Sequence, residues 1–172
     1  PAMTKLPYDA RNDFVPLALI AYLPMLLVAS ENSGIRTIAD VVAQAKAKPG
    51  AISYGSLGIG SIAHVAMEVF AQQTGTDLLH IPYQGTAPAM TAVVGGEVNT
   101  VFLSIGAALQ QIRAGRARAI ALAAPARSAV IPQVPTFVES GLAPAHVVAA
   151  PGKDRLRPAR RRRRRGALAG TP

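Results

Sequence analysis

Cysteine and tryptophan are absent from this 172-residue chain, histidine occurs three times, and aromatic residues make up 5% of it. Without cysteine there are no disulfides and no thiolate metal sites, and the compartment stays open. His64, His80 and His146 have no partners at ligand spacing, so no metal is expected. A long apolar run is also missing. The most hydrophobic window, Phe14–Ala29, covers 16 residues and contains Pro16 and Pro24. That is short of the roughly 18 to 20 apolar residues that cross a membrane. Two strands, Pro16–Ala21 and Met25–Ala29, separated by a proline turn fit it better. The opening PAMTKLPYDA has no basic start followed by an apolar core, so it is not expected to be a signal peptide and reads as the start of a fragment or processed chain.

Half of the positions are apolar, enough to bury a core in one domain or in parts of two. The formal charge of +9 is unevenly placed: Lys153 to Arg165 holds nine basic residues and one acid, a net of +8. The rest of the chain is therefore close to neutral. Six consecutive arginines repel one another and bury nothing, so residues 151–172 are expected to form a basic disordered tail. Such a tail can bind nucleic acid nonspecifically through charge, and no specific nucleic-acid partner is expected.

Between these ends, short apolar strands alternate with helical patterns. Thr37 caps a helix with Ile38, Val41, Val42 and Ala45 at helical spacing, and Pro49-Gly50 stops it. A strand follows at Ile52–Tyr54. Ser61 then caps a helix with an apolar stripe of Ile62, Val65, Ala66, Val69 and Phe70, ended by Gly75. LLHIPY is a strand, and a short helix starts near Thr86 and Pro88 and closes at Gly95-Gly96. A strand at Val98–Leu103, a helix at about Ala107–Ala114 and a strand at Ala119–Ala123 complete the pattern. The alternation predicts an α/β fold with a mainly parallel sheet flanked by helices. Ligands of such sheets sit beyond the carboxyl ends of the strands, here at the loops Gly55–Ser61, Gln84–Pro88 and Ser104–Ala107.

The stretch AISYGSLGIGSIAH, Ala51–His64, concentrates glycine and serine before a helix. Gly58, Gly60 and Ala63 match the G-x-G-x-x-A form of a dinucleotide loop, which makes a nucleotide-binding enzyme the alternative reading. The fingerprint also needs an acid at the end of the next strand, whereas Asp77 precedes that strand and Pro82-Tyr83 end it. No lysine follows the glycines as a phosphate loop would require, and no G-x-S-x-G elbow supports hydrolysis. His64 lies one turn after Ser61, where local hydrogen bonding or packing is expected; His80 reads as a satisfied strand histidine and Glu68 as a solvated helix position. A carboxylate suits the loop better: freed N–H groups and the dipole of the helix after Ser61 favour an anion, and glycine allows close approach. Gly85 and Thr86, leading into Pro88, repeat the design. Ser56, Ser61 and Thr86 add hydroxyls, and Tyr83 adds a ring wall with one donor.

Four consecutive blocks carry a family resemblance: LPYDARNDFVPLALIAYLPMLLVA, IADVVAQAKAKPGAISYGSLGIGSIAHVAMEVF, HIPYQGTAPAMTAVVGGEV and AGRARAIALAAPARSAVIPQVPTFVESG. From about Leu6 to Leu142 the chain resembles the extracytoplasmic solute receptors of tripartite tricarboxylate transporters, the Bug-type or TctC-type binding proteins. The resemblance implies a type II periplasmic-binding-protein-like fold, with one near-complete lobe and fragments of the other. It implies capture of a small carboxylate in the periplasm, delivery to membrane permease subunits, no cofactor and no enzymatic turnover. Residues 1–30 would be a remnant of lobe 1, residues 31–118 lobe 2, and residues 119–150 a crossover back toward lobe 1. The implied ligand-facing residues are Gly55, Ser56, Gly58, Gly60, Ser61, His64, Tyr83, Gly85, Thr86, Ala87 and Ser104. Leu103 before Ser104 stands where many relatives place a polar residue, which hints at a less polar ligand. The family's first lobe supplies a loop that grips the proximal carboxylate; that loop is missing from this stretch, so half a cleft and weak binding are expected. The resemblance is expected to end at about Leu142, after which the residues offer no apolar period.

Overall fold

A run of apolar residues without polar alternation suits a strand covered on both faces, and MLLVA is such a run. In the computed structural model of the chain, which describes residues 7–9, 13 and 23–142, it becomes the fourth strand of a five-stranded sheet. The elements are β1 (Met25–Ser30), α1 (Ile38–Ala47), β2 (Ser53–Ser56), α2 (Ile62–Thr74), β3 (Leu79–Pro82), α3 (Thr86–Gly95), β4 (Thr100–Ser104), α4 (Ile105–Arg113) and β5 (Ala117–Ala123), with a 3-10 turn at Glu31–Ser33. The strand order is β3-β2-β4-β1-β5. β2 runs parallel to β3 and β4, whereas β1 runs antiparallel to both β4 and β5. Four strands thus share one direction and β1 opposes them, so the expected mainly parallel α/β sheet is present with one reversed strand inside it. The strand expected at Pro16–Ala21, His146 and the basic tail lie outside the described residues.

The alternation of β1 explains the layers. Leu27 and Ala29 pack with Ile38, Val41 and Ala45 of α1 and Ala63, Ala66, Met67 and Phe70 of α2. Leu26 and Val28 pack on the other face with Ala89, Met90, Ala92 and Val93 of α3 and Ala108 of α4. Leu26, Leu27 and Val28 have no exposed surface. Each contributes about 1.5–3 kcal/mol by leaving water.

Element ends differ from the expectation where partners beyond the local sequence decide them. β5 begins at Ala117 rather than Ala119, because Ser30 and Ala29 of β1 lie opposite Ala117 and Arg118. Arg118 also forms a bidentate pair with Glu31, its Nη2 2.9 Å from Oε2. β4 starts at Thr100, after Asn99 has turned its side chain to β2. Asn99 Oδ1 accepts from Ser53 N–H at 2.8 Å and from Ser53 Oγ at 2.9 Å, while Asn99 N–H donates back to Ser53 Oγ at 3.1 Å. Asn99→Ala orphans the Ser53 N–H in a partly buried place. It is expected to cost about 1–3 kcal/mol, measurable as a lower midpoint in urea. In α2 the buried residues are Ala63, Ala66, Met67, Phe70 and Thr74, whereas Ile62 and Val65 of the expected stripe are 60% and 39% exposed. The small side chains of Ala63 and Ala66 let the helix lie close to the sheet, and Ile62 and Val65 are turned outward.

After β5 the chain returns to the sheet: Leu122 N–H donates to Pro135 at 2.9 Å and Phe137 N–H donates to Leu122 at 3.1 Å. This seats the Phe137 ring in the α1–α2 layer, 6.1 Å from Phe70 and 5.7 Å from Phe102 between ring centres. β1 and β5, on either side of the expected lobe boundaries at residues 30 and 118, therefore belong to the same sheet as β2, β3 and β4.

Candidate functional site

Parallel strands send all their carboxyl ends to one edge, and β3, β2 and β4 lie side by side there. The helix after β2 packs on one face of the sheet, and the helices after β3 and β4 pack on the other. Connections that diverge from neighbouring parallel strands leave a crevice between them, the usual place for a ligand in an open α/β sheet. The three segments singled out from the sequence lie at this edge, but only Gly55–Ser61 connects as a loop; Gln84-Gly85 leads straight into α3, and Ser104 passes into α4 at Ile105, two residues before the expected helix start.

The glycine loop is closed largely upon itself. Gly58 and Gly60 have φ of 114° and 78°, conformations that favour glycine. Gly58 N–H donates to Ser56 Oγ at 3.2 Å, and Ser56 Oγ lies 3.1 Å from the Gly58 carbonyl. Gly60 N–H donates to His64 Nδ1 at 3.0 Å, and Ser61 Oγ caps α2 by accepting from His64 N–H at 3.2 Å. The expected anion donors at Gly58 and Gly60 are thus engaged inside the loop. Sequence spacing could not reveal this, because His64 supplies the acceptor only once α2 has formed.

The open donors lie across the crevice. Gly85 precedes α3 with φ 108° and ψ −177° and offers no side-chain cap. Ser104 ends β4 and starts α4 directly, also without a side-chain cap bond. First-turn N–H groups at Thr86 and Ala87, and at Ile105 and Gly106, therefore have no side-chain acceptor. Tyr83 lies over Gly55: a Cβ built at Gly55 would meet its ring carbons at 3.3 and 3.4 Å. Gly55 is thus a place of close approach between β2 and the Tyr83 ring. The Tyr83 phenol is held above its usual value by burial first, and then by the nearby Glu97.

A ring stack supports the loop from below, and the sequence reading missed it. The parallel register sets Tyr54 of β2 beside His80 of β3. Their ring centres are 4.9 Å apart, and His80 stacks on His64 at 4.0 Å with an interplanar angle of 15°. Tyr54 Oη donates to Glu68 Oε1 at 2.5 Å, which also lies 3.7 Å from His64 Nε2. Glu68 is exposed, as expected, but it is tied to the stack. His80 Nε2 lies 2.7 Å from Ser56 Oγ. Burial, and then the neighbouring His64, lower the His80 pKa, opposed by Glu68. Burial, and then Glu68, push the Tyr54 phenol upward.

Two other chemistries fit this geometry poorly. The Ser56–His80 distance suits a nucleophile and its base, but Ser56 is fully buried and its hydroxyl is closed off by Gly58. For a dinucleotide, the acid belongs at the carboxyl end of β3. Asp77 instead sits before β3, where its carbonyl accepts the N–H of Gly50 in the α1–β2 connection, at the amino ends of β2 and β3.

Comparison with known proteins identifies the family. Residues 1–153 match the model of the tripartite tricarboxylate transporter family receptor. Protein BugT of Bordetella pertussis is 34% identical over 139 residues, covering 81% of this chain and 43% of its own length. The structure of Rhodopseudomonas palustris Rpa4515 with adipate superposes with a TM-score of 0.72 at 29% identity, over 80% of this chain and 46% of that one. MatC from Rhodopseudomonas palustris with bound malate gives a TM-score of 0.72 at 29% identity, over 81% and 47%. The chain thus spans less than half the length of these relatives. With the family model matched over most of its length, the chain belongs to the receptor family of the tripartite tricarboxylate transporters.

Proposed function

We propose that this chain supplies one side of the ligand cleft of a periplasmic receptor that captures a small carboxylate and delivers it to the permease subunits of a tripartite tricarboxylate-type transporter. The observation that carries the reading is a contrast between helix starts. α1, whose start shares a groove with Ala117 and Arg118 at the amino end of β5, carries Asp40 in its first turn and is closed by a capping box with Thr37. The helices that begin at the carboxyl edge, α2, α3 and α4, have no acid in their first turns. Their positive dipole ends are left for an anion brought from outside. Thr86, Ala87, Ser104 and the residues after Ser104 supply donors, Ser61 and His64 frame the opposite side, and Tyr83 with Gly55 forms the floor. Ile59 and Ile62, 74% and 60% exposed beside the loop, add an aliphatic rim that suits a ligand with a methylene chain. Adipate and malate in the related structures are both dicarboxylates, which supports the same ligand class here.

In this reading nothing is turned over, and affinity comes from two facing lobes of which residues 31–118 are the core of one. Thermal denaturation with adipate, malate and a nicotinamide dinucleotide separates the readings. A ligand at 100 times its Kd adds about 2.7 kcal/mol to the folded state. Stabilisation by millimolar dicarboxylate, with none from the dinucleotide, is expected. The opposite ranking would make the glycine loop a nucleotide site.

A further inference from the structure

The residues beneath the glycine loop form a connected set. His64 Nδ1 faces the N–H of Gly60 at 3.0 Å, so that nitrogen must carry a lone pair. The ring proton of neutral His64 is then on Nε2, the side on which Glu68 Oε1 lies at 3.7 Å. His80 Nε2 holds Ser56 Oγ at 2.7 Å, and Ser56 Oγ in turn accepts the N–H of Gly58. Both left-handed glycines are thus held through an imidazole, one directly and one through Ser56. The two rings are stacked at 4.0 Å. The groups facing the pair are Glu68 from α2, Tyr54 and Ser56 from β2, and each ring for the other.

We propose that His64 and His80 are positioning residues for the glycine loop, which keeps its ligand-ready form only while His64 Nδ1 is unprotonated and accepts from Gly60, with His80 bracing Ser56 beneath it, so that the site loosens its carboxylate on acidification. A proton on His64 Nδ1 places a donor against the Gly60 donor and breaks the brace. A second proton sets two cations face to face at stacking distance. Neutral His80 is favoured by its burial beside His64. With the folded pKa below the unfolded value, the stability it contributes is complete above the unfolded pKa of about 6.5 and is lost as pH falls toward the folded one.

The effect on affinity rests on the proposed function, whereas the brace is testable without ligand. In the full chain, ring-nitrogen NMR is expected to show His64 as the Nε2–H tautomer at pH 7.5. The Gly58 and Gly60 amide signals are expected to move with the imidazole titration. His64→Asn, with a carbonyl oxygen in place of Nδ1, is expected to keep the Gly60 signal near its neutral position and remove its titration, whereas His64→Phe keeps a ring and loses the acceptor. An Nδ1–H tautomer, or glycine amides indifferent to the histidine titration, overturns the proposal. Malate affinity is expected to be highest at pH 7.5 and to fall as the pH is lowered through the range in which imidazoles take up a proton. Affinity that rises on acidification overturns the proposal by making the imidazolium a direct anion contact. Failure of malate and adipate to bind at any pH counts against the receptor reading, and the amide titration then decides the brace by itself.

Discussion

Gly85→Ala is expected to abolish carboxylate binding while costing the free fold about 1–3 kcal/mol. Gly85 has φ 108° and ψ −177°, a backbone region that is essentially closed to residues with a Cβ. No atom lies within 4 Å of a Cβ built there, so the cost is torsional rather than a clash. The strained turn is relieved by rotating the peptide that leads into α3. Since α3 has no side-chain cap, nothing else fixes the direction of its first N–H groups. Those groups, at Thr86 and Ala87, are the donors on which the proposed site depends. Denaturation in urea gives the stability change, and calorimetric titration with adipate gives the binding. Full affinity in the alanine variant would remove α3 from the site.

Phe102→Ala is expected to destabilise the protein by about 3–5 kcal/mol, enough to unfold a marginal domain. Phe102 is 1% exposed on β4, between Leu27 of β1 and the returning Phe137 ring. Truncation leaves a cavity that neither strand can fill, because both are held by the sheet ladder on either side. Phe102→Leu retains most of the volume and is expected to cost under half as much. Equal losses for the two variants, read from denaturant midpoints, would show that the aromatic contact with Phe137 and not volume sets the stability.

The helices were legible because their signals are local. Thr37, Ser61, Gly75 and Gly96 occupy the cap positions that their residue types suggest. The glycine loop was legible as a loop, but not its internal hydrogen bonds. His64 is recruited to Gly60 by the helical turn that brings residue 64 back over residue 60. His80 and Tyr54 meet only because β2 and β3 pair in parallel with Tyr54 opposite His80, a register that no spacing along the chain encodes. The reversed β1 was equally hidden: its apolar run specifies burial on both faces but not direction. The rotation of the α2 stripe has a related cause. Ile62 and Val65 fit the apolar period as well as Ala63 and Met67 do, and the close approach of small residues to the sheet decides between the two.

The most direct test of the carboxylate edge is an amide NMR titration of the full chain with adipate at pH 7.5. The account predicts shifts concentrated at Thr86, Ala87, Ile105 and Gly106, with smaller ones at residues 57–61 and none at Thr37 and Asp40 at the start of α1. Shifts centred on the start of α1, or on the glycine loop with α3 and α4 unmoved, would contradict it.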